Sequence, residues 1–463
     1  MIKHYIEADA RGKTPASRWL GLVVSRGRLG FLALLLGQGL SLVAAAAEPW
    51  TLERALDHAL LHNPDVRLAQ HRIAAAQAGW EQANSAFWPR LQLESSYTRS
   101  DHPTVAFSDL LNQRAYRSSL NLNSVPEVDN LNARGLLTLP IYEGGRNFAG
   151  RQAAGANRAA ARLDSEAVRN ELGFEVSRTF HTVLKTRQFI QAAEAAVSSF
   201  EANLIVARRR LEGGTLLRSE VLDTEVRLAQ AREDLVRAHN ASTLAERALR
   251  NLLGIDAGEF TVADTVPAVS APTPGELAHR PELIAARERA NAANAQVRGA
   301  KSGYQPRVSA FGSVGYDHGW VTGGNGGNYT AGVLVQWDLW DGFSTRSKVR
   351  EAEAKRESAQ EEERKLRLAI NLEVEQARLD LQAAEERLAV SGKTVEQASE
   401  SASLTRNRFA QGLALTTQLI DAETALIAAR VRRAETESDE RIAIAALRKA
   451  LALPQLDPQP ATH

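Results

Sequence analysis

The chain has 463 residues, with 56 Lys+Arg against 55 Asp+Glu and no cysteine. A net charge of +1 supplies neither a basic field for nucleic acid nor an acidic tail. The missing cysteines exclude disulfides, thiolate metal sites, a cysteine nucleophile and a lipid-anchored N-terminal cysteine. Length alone suggests about three domains of ~150 residues each. Abundant alanine with only 6% aromatic residues points instead to long, closely packed helices.

At the N-terminus, Lys3, Arg11, Lys13, Arg18, Arg26 and Arg28 precede an apolar run from Leu29 to Val43 and four alanines, Ala44 to Ala47. A basic region, a short apolar core and small residues predict a secretory signal over residues 1–47. The run falls short of the ~20 residues a membrane-spanning helix needs. Gly12-Lys13-Thr14 imitates the end of a phosphate loop, but the glycine such a loop requires five residues earlier is missing.

The remainder is one unit written twice. Pro64 and Pro281 are 217 residues apart, as are Pro89 and Pro306. Further on the offset is 198, linking Arg210 with Arg408, Gly214 with Gly412, Asp223 with Asp421, Glu225 with Glu423 and Arg250 with Arg448. Residues 48–255 form the first repeat and 276–453 the second. They are joined by a linker over 256–275 carrying Pro267, Pro272 and Pro274, and residues 454–463 form a tail. The 19-residue length difference between the halves falls between Pro89 and Tyr142, where loop variation is tolerated.

Each half carries two alternating segments that predict strands. Leu91, Leu93 and Tyr97 alternate with Gln92, Glu94, Ser96 and Thr98, and Leu131 to Ile141 alternate with Asn132, Arg134 and Thr138. In the second half, Val308, Ala310, Gly312, Val314 and Tyr316 form one apolar set. Tyr329, Ala331, Val333, Val335, Trp337 and Leu339 form the other, after a polar loop over Gly323 to Gly327. Strand pattern alone leaves open a pair of soluble hairpins packed on helices. Export and the polar loop favour tilted strands of an outer-membrane barrel. Four strands in lipid would leave two unpaired edges, so several chains must share one barrel.

A proline-free helical pattern then runs from Asn147 to Leu211, which at 1.5 Å per residue extends ~98 Å. Its counterpart runs from about Thr345 to Phe409. There Ile370, Val374, Ala377, Leu381, Ala384 and their successors alternate at spacings of 4 and 3, a coiled-coil seam. The returning helix of the first half repeats this from Leu217 through Val221, Thr224 and Leu228 to Leu252. His58 and His62 have metal-pair spacing but no third ligand in view. Asn240-Ala241-Ser242 fits a glycosylation sequon inside the seam, and no nucleophile–base–acid set stands out. Neither a cofactor nor enzymatic activity is expected.

Three duplicated motifs carry a resemblance. They are Leu52-Glu53-Arg54-Ala55-Leu56 with Asn63-Pro64; Leu139-Pro140-Ile141-Tyr142-Glu143-Gly144-Gly145-Arg146; and Arg210-Leu211-Glu212-Gly213-Gly214 with its second copy Arg408-Phe409-Ala410-Gln411-Gly412. Over essentially the whole mature chain the sequence resembles the TolC family of outer-membrane efflux and secretion channels. The resemblance implies an α+β membrane protein: a long coiled-coil tunnel through the periplasm, and four strands per chain contributed to a 12-stranded trimeric barrel.

It also implies a gated far end. Asp421 matches a family carboxylate that rings the closed entrance, while Gln418 stands at the other such position and Ala414 where the family has a locking arginine. Ser219 and Glu220 match that arginine's partners, and Asp223 is the repeat mate of Asp421. The turns at Gly214 and Gly412, flanked by Arg210, Leu216, Leu217, Arg408, Leu413 and Leu415, are expected to dock an adaptor. The implied partners are two further copies, a periplasmic membrane-fusion adaptor, an inner-membrane ABC transporter or proton-driven pump, and outer-membrane lipid, with no nucleic acid. The absence of a lipidated cysteine favours type I protein secretion as the role. A multidrug efflux channel and a non-channel periplasmic coiled-coil scaffold are the alternatives.

Overall fold

The computed structural model describes residues 49–121, 123–256, 260–267, 269–272 and 280–457. The expected signal and the Gly12-Lys13-Thr14 triplet lie outside them. Two short helices, α1 (Leu52–His62) and α2 (Pro64–Ser85), lead to strand β1 (Arg90–Ser100). Helix α3 (Pro103–Asn112), strand β2 (Val128–Glu143), and helices α4 (Arg146–Glu212) and α5 (Arg218–Leu253) complete the first half. The second half comprises α6 (Pro281–Lys301), β3 (Arg307–His318), β4 (Asn325–Gln336), α7 (Ser344–Ala410) and α8 (Thr416–Ala450).

α4 and α7 each have 67 residues, about 100 Å of helix. Both begin behind a left-handed residue, Gly145 (φ 84°) and Phe343 (φ 66°), which turns the chain out of the sheet region into the helix. Each returns along itself as α5 or α8, sealed by the alternating seam. Val221, Thr224, Leu228 and Ala231 are buried on α5, and Ile370, Ala377, Leu381 and Ala384 on α7. Small residues on these seams let the helices approach closely. Leu217, placed on the seam by its spacing, instead precedes α5 as its N-cap and is exposed, because the tip turn consumes it.

The core is distributed along the helices. Midway, α1 packs Leu52 and Leu56 against Leu172, Val176 and Phe180 of α4 and Leu249 and Leu253 of α5. Near the tips one cluster joins both hairpins through Phe200, Leu204, Val221, Leu228, Phe409 and Ile420. The Pro-rich linker is anchored by backbone pairing of Trp50 with Thr261 and Ala263. Buried Arg448 ties the linker to the tail, donating to the Ser270, Pro454 and Leu456 carbonyls and pairing with Asp457 at 2.8 Å.

The strands form one antiparallel sheet in the order β1-β2-β3-β4. Its registers align Leu93, Gly135, Val314 and Tyr329 across all four strands, and Leu91, Leu137, Gly312 and Ala331 likewise. Within the paired registers the apolar sets read from the sequence lie on one face, up to the register shift at Ile141 and the end of β4. Gln92, Leu136, Ser313 and Thr330 align on the other.

Two sequence expectations about the strands are corrected. β4 ends at Gln336 opposite Arg307, so Trp337 and Leu339 lie beyond it. Pro306 precedes β3 and offers no amide to prolong the ladder. At the other end Asn325, Gly326 and Gly327 belong to β4, paired with His318, Asp317 and Tyr316, and not to a free loop. The extra length of the first half contains α3, held over the strand ends by a buried polar network. In it Gln113 donates to the Asp129 carbonyl (2.6 Å), and Asn130 donates to Asp317 (2.8 Å) and Asp109 (3.3 Å). No described helix is long and apolar enough to cross a membrane.

Candidate functional site

The sequence-selected residues gather at the two hairpin tips, which are built alike. Gly214 (φ 72°) and Gly412 (φ 79°) take left-handed conformations that end α4 and α7. Thr215 N then donates to the Arg210 carbonyl, and Leu413 N to the Arg408 carbonyl, both at 2.8 Å. The return helices are capped by side chains three residues on: Leu217 N donates to Glu220 Oε2 and Leu415 N to Gln418 Oε1, each at 3.1 Å. Gln418, which departs from the family carboxylate, thus fills the capping position that Glu220 fills in the first half.

The two tips meet at two contacts. Thr416 Oγ1 donates to Glu220 Oε1 at 3.0 Å. The sequence comparison set Glu220 opposite the position now held by Ala414; here Ala414 packs into the tip core and Thr416, two residues on, takes the contact. Arg210 Nη1 donates to the Phe409 carbonyl at 3.0 Å and its guanidinium lies 4.9 Å from the Phe409 ring centre. Arg210 is thereby drawn into a link between tips and is not a free docking residue.

Asp421, Gln418, Ser219 and Asp223 are exposed, as is Arg408. Leu217, Leu413 and Leu415 project into solvent, whereas Leu216 packs against the tip core. Three of the four tip leucines are therefore exposed in one chain.

About two helical turns from the second tip lies a site the sequence reading passed over. Glu423 is 1% exposed and pairs with Arg406 Nε at 2.7 Å. It also accepts from Ser199 Oγ (2.9 Å) and Asn203 Nδ2 (3.4 Å) of α4. Its repeat mate Glu225 makes the equivalent ion pair with Arg208 at 2.7 Å but stays part-exposed. The duplicated glutamate was visible in the sequence; its burial was not, because only tertiary packing brings α4 across it.

Elsewhere, His58 Nδ1 contacts the Leu253 carbonyl (3.1 Å) and His62 Nδ1 the His58 carbonyl (3.0 Å). Burial, followed by the neighbouring His62, lowers the His58 pKa. Among the described residues no group of three His, Asp or Glu could hold a metal ion.

The outer membrane efflux protein family model matches residues 55–255 and 275–453, most of the chain and both of its halves. The chain belongs to the outer membrane efflux protein family. Among curated relatives it is 24% identical over 422 residues to the pyoverdine export outer membrane protein OpmQ of Pseudomonas putida, covering 86% of this chain and 85% of that protein. It is 25% identical over 312 residues to the alkaline protease secretion protein AprF of Pseudomonas aeruginosa, covering 63% and 64%. Its fold is shared with the outer membrane protein VceC of Vibrio cholerae, with a TM-score of 0.73 at 21% identity over 87% of this chain and 96% of that one. As an outer membrane efflux protein it is a channel component that resides in the outer membrane and extends into the periplasm, and its fold is also that of the outer-membrane channel OprN. Membership of this family replaces the periplasmic-scaffold alternative.

Proposed function

We propose that three copies of this outer membrane efflux protein close one 12-stranded barrel, β4 of each pairing with β1 of the next. The observation carrying this reading is the four-stranded sheet itself. Both of its edge strands are unpaired, and one face is apolar and uncovered, with Leu93 84% and Tyr329 82% exposed. Unpaired edges are prohibitive in lipid, and an apolar face of this extent requires a partner phase. The α4–α5 and α7–α8 hairpins of three copies then form the tunnel, and residues 1–47 act as the export signal. Native mass spectrometry of the detergent-extracted protein should give a trimer. Recovery of a monomer from the soluble periplasm would overturn the reading.

The tips form the gate. Glu220–Thr416 and Arg210–Phe409 hold the two hairpins of each chain together, and Asp421 of three copies rings the axis as a cation-favouring constriction. Docking of a periplasmic adaptor on Leu217, Leu413 and Leu415 separates the hairpins and opens the tunnel. An inner-membrane transporter completes the export route.

Protein secretion is the proposed cargo class, supported by the likeness to AprF and by the absence of a cysteine for lipid anchoring. The likeness to OpmQ favours a second reading, export of small molecules. Deleting the gene separates them. Loss of one protein from the culture medium supports secretion. An unchanged extracellular protein profile with raised sensitivity to toxic small compounds supports the second reading.

A further inference from the structure

The contacts between the two halves of one chain come with a ready-made image between copies. Within the chain, α8 and α6 of the second half lie on α4 of the first, and β3 pairs with β2. Shifting each element to its repeat mate turns these contacts into α5 and α2 of one copy on α7 of another, and β1 on β4. The last pair are the two open strand edges. The mapping is free of register doubt in the helices, since α4 (146–212) and α7 (344–410) share one offset of 198 at both ends.

We propose that the Arg208–Glu225 pair is completed by α7 of a second copy, whose Gln397 and Ser401 donate to Glu225. This is the intermolecular counterpart of the cluster that Ser199 and Asn203 form with Glu423. The inference rests on the oligomer proposed above and adds the residues that join its copies.

Three observations argue for it. Glu225 already has its arginine, through Arg208 Nη2, but its carboxylate remains part-exposed, while Glu423, paired with Arg406 through Nε at the same 2.7 Å, is buried by α4. Leu222 is 49% exposed although its mate Ile420 is 6% exposed in the tip core, so one face of α5 lacks the cover that α8 has. Charge matches as well. Gln188 of α4 and Arg430 of α8 line one cavity within the chain. Their images are Glu386 of α7 and Arg232 of α5, both exposed and of opposite charge, with Arg232 also paired to Glu201 of α4 in its own chain at 2.7 Å. Gln397 and Ser401 are exposed on α7, a donor amide and a donor hydroxyl at the places of the donors Ser199 and Asn203.

The natural absence of cysteine makes the test direct. In the full-length, detergent-extracted protein, the double variants Glu225→Cys/Gln397→Cys and Arg232→Cys/Glu386→Cys are treated with a short bis-methanethiosulfonate reagent. These side chains are long, so a direct disulfide is not demanded of them. Gln188→Cys/Arg430→Cys serves as the within-chain control and the single variants as blanks. The expected result is covalent dimers and trimers from either intermolecular pair, and an intact single-chain mass with an internal bridge from the control. If the protein is trimeric by native mass and the control bridges, but both intermolecular pairs yield only single chains, this inference falls while the trimer stands. If the native mass is monomeric, both fall together.

Discussion

The guanidinium of Arg210, at the end of the first long helix, donates a 3.0 Å hydrogen bond to the carbonyl of Phe409 at the end of the second and lies over its ring. One side chain thus adds a second donor to a helix-end carbonyl that already accepts from Gly412 N (3.0 Å), stacks on a buried aromatic, and joins the two hairpins where the tunnel would open. Its second nitrogen donates to the Thr215 carbonyl of its own turn at 3.3 Å, which fixes the arm. A planar fork is needed to reach both carbonyls while stacking, and lysine cannot reproduce that.

Arg210→Ala is therefore expected to loosen the closed state. In planar bilayers its conductance and open fraction should exceed those of the wild type several-fold, with Arg210→Lys between them. Identical recordings for all three proteins would reduce Arg210 to a helix cap.

Asp421 is exposed and has no ion pair in its own chain among the described residues. If three copies surround one axis, Asp421→Asn removes three charges from the constriction and should abolish most of the cation preference. Reversal potentials across a salt gradient measure this. An unchanged preference and conductance would place Asp421 away from the pore.

His181 is buried in α4, and burial, then the charge of Arg441, hold its pKa down to about 4 from 6.5. The imidazole is neutral in the folded chain, whereas the unfolded chain takes up a proton below about pH 6.5. The resulting stabilisation is fully present above that pH and is lost as pH falls from about 6.5 to about 4. The shift corresponds to about 3 kcal/mol. His181→Leu, which cannot titrate, should flatten the dependence of denaturant midpoint on pH over that window. A parallel slope in both proteins would show that His181 does not govern it.

Gly144 and Gly214 both have positive φ, but their surroundings differ. A Cβ on Gly144 would lie 2.6 Å from the Ser302 carbonyl oxygen and 2.9 Å from Gln305 Cβ, while one on Gly214 would meet nothing within 4 Å. Gly214→Ala should cost about 1 kcal/mol, the left-handed conformation alone. Gly144→Ala adds a clash with backbone and should lower the melting temperature markedly further. Equal effects would mean that the turn after β2 can yield.

Much of this was legible in the chain because it is written locally and twice. The seam from Ile370 to Phe409 has helical period over many turns, and the glycines at 214 and 412 recur at one offset, so helix extent and tip position followed from spacing. The alternation of Leu131 to Ile141 and of Val308 to Tyr316 marked strands for the same reason. The start and end of β4 were not legible. A strand continues only while its neighbour offers a ladder, and Arg307, the first residue of β3, decides where that ladder stops. Helix α3 escaped because its short apolar pattern is held by distant partners such as Asp129 and Asn130, and not by its own periodicity.

The candidate site divides in the same way. Local chemistry picked out the capping glycines, and the family resemblance picked out the tip leucines and Asp421. Neither could pick out Thr416 as the partner of Glu220, or tell that Leu216 packs against the tip core while Leu217 does not. The sequence by itself determined that this protein is two copies of one elongated unit, since periodicity and repetition are properties of neighbours along a chain. Only the tertiary structure decided that Glu423 is buried with three partners while its duplicate Glu225 remains part-exposed. Burial depends on what packs across a residue from elsewhere: α4 crosses the second hairpin of its own chain, and the chain has no third half to cross the first.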